Sequence, residues 1–183
     1  MSDERPRVLE TERCYEGKIL AVRRDRVELA DGSRHVFEVV EHRPSIVVVP
    51  LLDPQTLLLV RQYRHPLGEE LLELPAGNVE PGEVADSTVQ RELAEEIGYR
   101  AREMIPLGGF YVVPGWGNEF MHAYLARDLY HAPEEQDEDE RIEVVSLPVS
   151  EWERRIAAGE VRDGKSLATW MLARAVLAER ERA

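Results

Sequence analysis

Three glutamates, Glu92, Glu95 and Glu96, stand close together in a segment with helical periodicity. Ala85, Val89, Leu93 and Ile97 recur every four residues, and Gly98 follows, so residues 83–97 read as a helix closed by a glycine. On such a helix Glu92 and Glu96 stack about 40° apart, with Glu95 beside them on the same side. Measured from Val89, Glu92 and Glu96 overlap the edge of the apolar stripe. Carboxylates aimed at a core edge are costly unless paired or bound to a cation, and the spacing shows no basic partner for each of them. Converging carboxylates that offer only oxygen suit Mg²⁺ or Mn²⁺, not zinc. A cation held there would neutralise a pyrophosphate and orient or activate water for attack at phosphorus. The competing reading is a solvated helix in which Arg91 pairs with Glu95 at i,i+4.

The elements that must position these carboxylates are legible on both sides of the helix. Residues 1–15 are polar and carry little signal. Ile19–Val22, Arg26–Ala30 and Arg34–Val40 are short strand-like stretches, with Asp31-Gly32 as a tight turn before the last. Residues 18–42 therefore read as a small antiparallel meander. Ile46–Val49 and Leu57–Val60, split by Asp53-Pro54, read as buried strands joined in a hairpin. Further strands are expected at Leu71–Pro75, Gly109–Val113, Phe120–Ala126 and Ile142–Leu147, and helices at Ser150–Ala158 and Ser166–Arg182. Residues 133–140, acidic almost throughout, read as an exposed loop. A strand-rich core with one central and two terminal helices implies an α/β sandwich with a mixed sheet.

Composition bounds the function. With 183 residues, 43% hydrophobic and 32% charged, the chain can bury a core and keep a polar surface. A formal net charge of −13 argues against nucleic acid as a partner. An acidic protein still handles polyphosphate if cations bridge the like charges. Cys14 is the only cysteine, so there is no disulfide within the chain, which favours a reducing compartment and a cytoplasmic location. Ile46–Leu52, the most apolar segment, is too short to span a bilayer. No secretory signal is expected from the polar first residues.

The run from Gly77 to Tyr99 resembles the Nudix box. That pattern is a glycine, five residues, a glutamate, seven residues, then arginine-glutamate, an aliphatic residue, any residue, two glutamates, any residue, a glycine and a final aliphatic. Gly77, Glu83, Arg91, Glu92, Glu95, Glu96 and Gly98 fill every fixed position, and only Tyr99 departs, at the final aliphatic site. The surroundings resemble the ADP-ribose pyrophosphatase branch of that family: Arg61–Arg64 and Glu73–Gly77 upstream, Pro114-Gly115 with Glu119 downstream, and Asp137–Glu140 before Ile142–Val144.

The resemblance implies a Nudix-type α/β/α sandwich over residues 43–183, preceded by the meander of residues 1–42 as a dimerisation arm. It implies Glu92, Glu96, the Ala76 carbonyl and Glu140 as metal ligands. Glu138 would be the general base, and Glu95 would ligate metal or assist water. Arg64 would grip phosphate, and Glu73 and Glu119 would bind sugars or base. Glu83 and Arg91 would orient the box. From their places in the chain, Trp116, in a loop beside Pro114-Gly115, reads as a wall of the site, and Trp152 and Trp170, on the terminal helices, read as packing.

The implied reaction is metal-dependent hydrolysis of ADP-ribose to AMP and ribose 5-phosphate, with Mg²⁺ or Mn²⁺ as cofactor and a homodimer as the assembly. The alternatives are hydrolysis of another nucleoside diphosphate sugar such as GDP-mannose, and a Nudix-like sensor that binds ADP-ribose without cleaving it. The intact glutamates oppose the sensor, and a purely structural module would leave the acidic cluster unexplained.

Overall fold

The computed structural model describes residues 5–136 and 141–180. They divide into two compact units. The first contains residues 5–44 and takes in the distant segment Tyr111–Phe120.

In the first unit β1 (Arg7–Glu16), β2 (Leu20–Glu28) and β3 (Arg34–His42) form an antiparallel sheet in that order. The Asp31-Gly32 turn joins β2 to β3, with the Asp31 carboxylate accepting the Ser33 N–H at 2.9 Å. β1 is a correction to the polar reading of residues 1–15. All ten of its residues are exposed, and its few apolar side chains, among them the adjacent pair Val8-Leu9, give no alternation to read. Cross-strand charge holds it instead: Arg7 to Glu28 at 2.8 Å, Arg24 to Glu12 at 2.5 Å and Arg26 to Glu10 at 3.1 Å. The segment Tyr111–Phe120 hooks onto β3 at Val40, whose N–H donates to the Trp116 carbonyl at 2.8 Å.

The second unit is built on a mixed sheet in the order β10-β5-β4-β9-β8. Its strands are β4 (Ser45–Asp53), β5 (Thr56–Arg64), β6 (Glu69–Glu73), β7 (Ala76–Asn78), β8 (Tyr99–Tyr111), β9 (Phe120–His131) and β10 (Ile142–Pro148). β4 lies parallel to β9 and antiparallel to β5 and β7, and β6 pairs with β5. The expected strand at Gly109–Val113 is corrected: β8 starts at Tyr99 and ends at Tyr111. Its early residues are a mixed, half-exposed series without the clean alternation that marks a strand. β7 was not foreseen at all; three residues are too few for a pattern.

Alternation along β4 and β5 sorts two cores. Ile46, Val48, Leu58 and Val60 face α1 (Ala85–Ile97), packing on Val89, Leu93 and Ile97. Val47, Val49, Leu57 and Leu59 face α2 (Val149–Ala157) and α3 (Gly164–Arg180), packing on Trp152, Trp170 and Ala173. That is an α/β/α sandwich, and both terminal-helix tryptophans are core residues of it. Gly98 ends α1 in the left-handed region at φ 75°, where a Cβ would be strained.

Candidate active site

α1 carries its acidic residues inward. Glu92 is 7% exposed and Glu96 3%. Both lie against β7. The Ala76 N–H donates to Glu96 Oε2 at 3.1 Å. A Cβ built on Gly77 would stand 1.8 Å from Glu92 Oε1, so only glycine lets the strand approach this carboxylate. The structure therefore brings Glu92, Glu96 and Ala76 together.

Arg91 ties the same helix to the loop before it. Its Nε meets Glu83 Oε1 at 3.0 Å, and its Nη1 meets Glu92 Oε1 and Glu95 Oε2, each at 2.8 Å. Its Nη2 donates to the Asn78 carbonyl at 3.0 Å. Glu92 thus has a basic partner that helical spacing does not suggest. The i,i+4 pair with Glu95 is one strand of a larger net. Glu83 also accepts from the Glu80 N–H and the Thr88 hydroxyl. Chiefly because Arg91 hydrogen-bonds it, the Glu83 carboxyl is drawn down to about 2, against its own partial burial. At the first turn of α1 the Tyr124 hydroxyl donates to Asp86 at 2.8 Å, fastening the helix to β9. Burial and that carboxylate push Tyr124 up to about 12.

A second ionic group adjoins the first. Glu73, 1% exposed, receives Arg64 bidentately, at 2.8 Å from Nε and 2.6 Å from Nη2. Lys165 also donates to Glu73, and meets Asp163 at 2.9 Å. Burial would raise the Glu73 carboxyl, but Arg64 and Lys165 outweigh it and hold the group below its ordinary value. Arg64 is held above its ordinary value, first by its hydrogen bonds to Glu73 and also by the charge of Glu96. Arg64 therefore feels the charge of Glu96 on α1. Lys165 and Asp163 were not foreseen. Asp163 before a helix is an N-cap signal, but nothing in the sequence links Lys165 to a glutamate 92 positions earlier.

Two of the remaining expected residues belong to the first unit. Glu119 lies 3.6 Å from His42 Nδ1. Trp116, in the same segment, is exposed. Glu138 and Glu140 lie outside the described residues.

Residues 41–169 match the family model described as NUDIX domain, more than half of the chain. The chain belongs to the Nudix family. Residues 7–40 match a second model, the nucleoside diphosphate sugar hydrolase N-terminal domain. This Nudix hydrolase is similar to an ADP-ribose pyrophosphatase of Bacillus subtilis (strain 168), 34% identical over 157 residues and 85% of each chain. It is similar to a methanol dehydrogenase activator of Bacillus methanolicus, 32% identical over 163 residues and 88% of each chain. A crystal structure of an ADP compounds hydrolase superposes over the whole of both chains with a TM-score of 0.90 and 25% identity.

Nudix hydrolases are generally metal-dependent. Two nearly buried carboxylates on one helix edge, facing a backbone strand, form an oxygen-only donor set that fits a hard divalent cation. Among the described residues no group of three His, Cys, Asp or Glu side chains is placed to hold one unaided. Ligands beyond these two carboxylates would have to complete the set.

The Gly77 contact generates one prediction. Gly77→Ala should keep the fold at some cost in Tm, because the atoms displaced are the end of one side chain and Arg91 keeps its bonds to Glu83, Glu95 and Asn78. It should weaken Mn²⁺ binding about tenfold or more by driving Glu92 aside. Unchanged Mn²⁺ affinity in a titration would refute the close-approach argument. Glu83 generates another. A carboxyl depressed in the fold contributes stability that is complete above its unfolded value near 4.5 and lost as pH falls through about 2. Glu83→Gln should therefore lower Tm at neutral pH, and its deficit should shrink as pH drops from about 4.5 towards 2. A deficit independent of pH would contradict this.

Proposed function

We propose that this Nudix hydrolase cleaves the diphosphate of ADP-ribose, giving AMP and ribose 5-phosphate, with Mg²⁺ as cofactor and Mn²⁺ as a substitute. The observation that carries the reading is the pair Glu92 and Glu96, buried against Ala76 and Gly77. The substrate class draws support from the nucleoside diphosphate sugar model over residues 7–40. The choice of ADP-ribose within it draws support from the names of the Bacillus subtilis relative and of the superposed structure.

In this reading Glu92, Glu96 and the Ala76 carbonyl hold the cation, with Glu140 as a further ligand. Bound there, Mg²⁺ supplies charge neutralisation of the diphosphate and activation of water. Arg64 grips diphosphate oxygen with the guanidinium edge that Glu73 leaves open, and Glu73 acts through Arg64, since its own oxygens are engaged. Glu138 takes the proton from the attacking water as general base. Glu95 assists at the water, and Glu119 hydrogen-bonds sugar or base. Arg91 and Glu83 keep the helix and loop in register.

The assembly we infer is a homodimer in which the first unit reaches the partner. A three-stranded sheet is marginal alone. Val8, Tyr15, Ile19, Val36 and Phe37 are all more than two-fifths exposed there, apolar side chains divided between the two faces of the sheet that a second copy would cover in part. A cytoplasmic location belongs to the same reading and rests on the single free Cys14. No helix among the described residues is long and apolar enough to cross a membrane.

Phosphate-release assays with added phosphatase test the reaction. ADP-ribose turnover should require Mg²⁺, stop with EDTA and fall about a hundredfold or more in Glu96→Gln while the fold survives; Glu138→Gln should lower kcat more than KM. Near-normal kcat in Glu96→Gln would sink the metal-site assignment, and faster turnover of GDP-mannose would replace the substrate. Sedimentation tests the assembly. The intact chain should run as a dimer at assay concentration, and Phe37→Glu should shift it towards monomer while raising KM. A monomer with full activity would exclude the arm.

A further inference from the structure

The strand that faces Glu92 and Glu96 is gripped from both faces of the sheet. β6 ends its pairing with β5 at Glu73, and β7 begins its pairing with β4 at Ala76. Leu74 and Pro75 fall between the two ladders. Pro75 has no N–H to place, and its carbonyl accepts from the Val48 N–H at 3.0 Å. Leu74 is fully buried, so an unmatched N–H there would be costly. The Ser166 hydroxyl accepts that N–H at 2.7 Å and donates to Asp163 Oδ2 at 2.5 Å. Asp163 also takes the Ser166 N–H at 3.1 Å, at the start of α3. Two residues on, the Ala76 N–H goes to Glu96 on α1. Successive N–H groups of one short segment are thus tied to helices on opposite sides of the sheet.

The tolerance at this point is narrow. The Glu92 carboxylate already occupies the space a Cβ on Gly77 would need. Movement of the segment towards α1 closes that contact, and movement away opens the bond from Ala76 to Glu96. The bond from Leu74 to Ser166 adds a tether on the α3 side to the pairing with β4.

We propose that Ser166 is a positioning residue for the cation site, fixing Leu74–Gly77 against Glu92 and Glu96 from the far face of the sheet. It touches neither carboxylate and no reacting atom. The inference rests on the reading of Glu92 and Glu96 as metal ligands. Thr169 supplies the control, because it is also fully buried on α3 and its hydroxyl donates only to the Lys165 carbonyl of its own helix, at 2.7 Å.

The test is Mn²⁺ binding to the full chain, read by electron paramagnetic resonance of the free ion without substrate, together with hydrogen exchange at Leu74 and Ala76. Ser166→Ala should bind Mn²⁺ about tenfold or more weakly and exchange faster at both amides. Ser166→Thr, which keeps the hydroxyl, should restore both. Thr169→Ala should lose Tm and keep wild-type Mn²⁺ affinity. If Ser166→Ala does not fold, Ser166→Cys, with a poorer acceptor, should show the same weakening in smaller measure. Lower Tm with unchanged Mn²⁺ affinity in the Ser166 variants would overturn the positioning role and leave it a stability contact. Equal weakening in Thr169→Ala would overturn it as well. Wild type binding Mn²⁺ no better than Glu96→Gln would overturn the metal-ligand reading itself, and this inference with it.

Discussion

The Arg91 guanidinium is the interaction on which the site depends. One planar group with five donors reaches Glu83 in the loop, Glu92 and Glu95 on α1, and the carbonyl of Asn78 at the end of β7. It joins three pieces of chain that no ladder or helix hydrogen bond connects. It also offsets part of the charge that Glu92 brings to a nearly buried position. Removing one partner from such a group leaves carboxylates buried without compensation, which is far more damaging than loss of a surface ion pair. Arg91 is held above its ordinary value, first by Glu83, so it is cationic at every accessible pH.

Around that group the second unit is arranged in layers. Alternation on β4 and β5 sends one set of aliphatic side chains to α1 and the other to α2 and α3. The sheet is therefore a rigid partition with α1 and its carboxylates on one side. The short strand β7 presents backbone, not side chain, to Glu92 and Glu96. Gly77 is what makes this possible. Its lack of a Cβ, and not an unusual backbone angle, admits the Glu92 carboxylate. The ionic group of Arg64, Glu73 and Lys165 holds a guanidinium in a fixed orientation, as the proposed grip on phosphate requires.

The first unit is stabilised differently. Its sheet carries few buried side chains, and its strands are registered by pairs of opposite charge such as Arg24 with Glu12 and Arg26 with Glu10. Exposed pairs of this kind contribute little each and weaken with salt. A polar, fully exposed strand such as β1 gives no hydrophobic periodicity, and so it was invisible until its partners on β2 were known. The loop Tyr111–Phe120 was legible as a motif but not as a neighbour of Val40, because that contact joins residues far apart in the chain.

By itself the sequence determined the elements whose signal is local. The i,i+4 repeat of Ala85, Val89, Leu93 and Ile97 specified α1 and put Glu92 and Glu96 at its inner edge. Continuous aliphatic runs specified β4 and β5, and the run from Gly77 to Gly98 carried the resemblance to the Nudix box. Tertiary structure alone decided what those carboxylates meet. Pairing of β7 with β4 brings Ala76 and Gly77 to them, and the start of α3 brings Lys165 to Glu73 and Ser166 to Leu74. The reason is the range of the interaction. Helical and strand periodicity is written within a few residues, whereas a hydrogen bond across 92 positions leaves no trace in the order of the residues it joins.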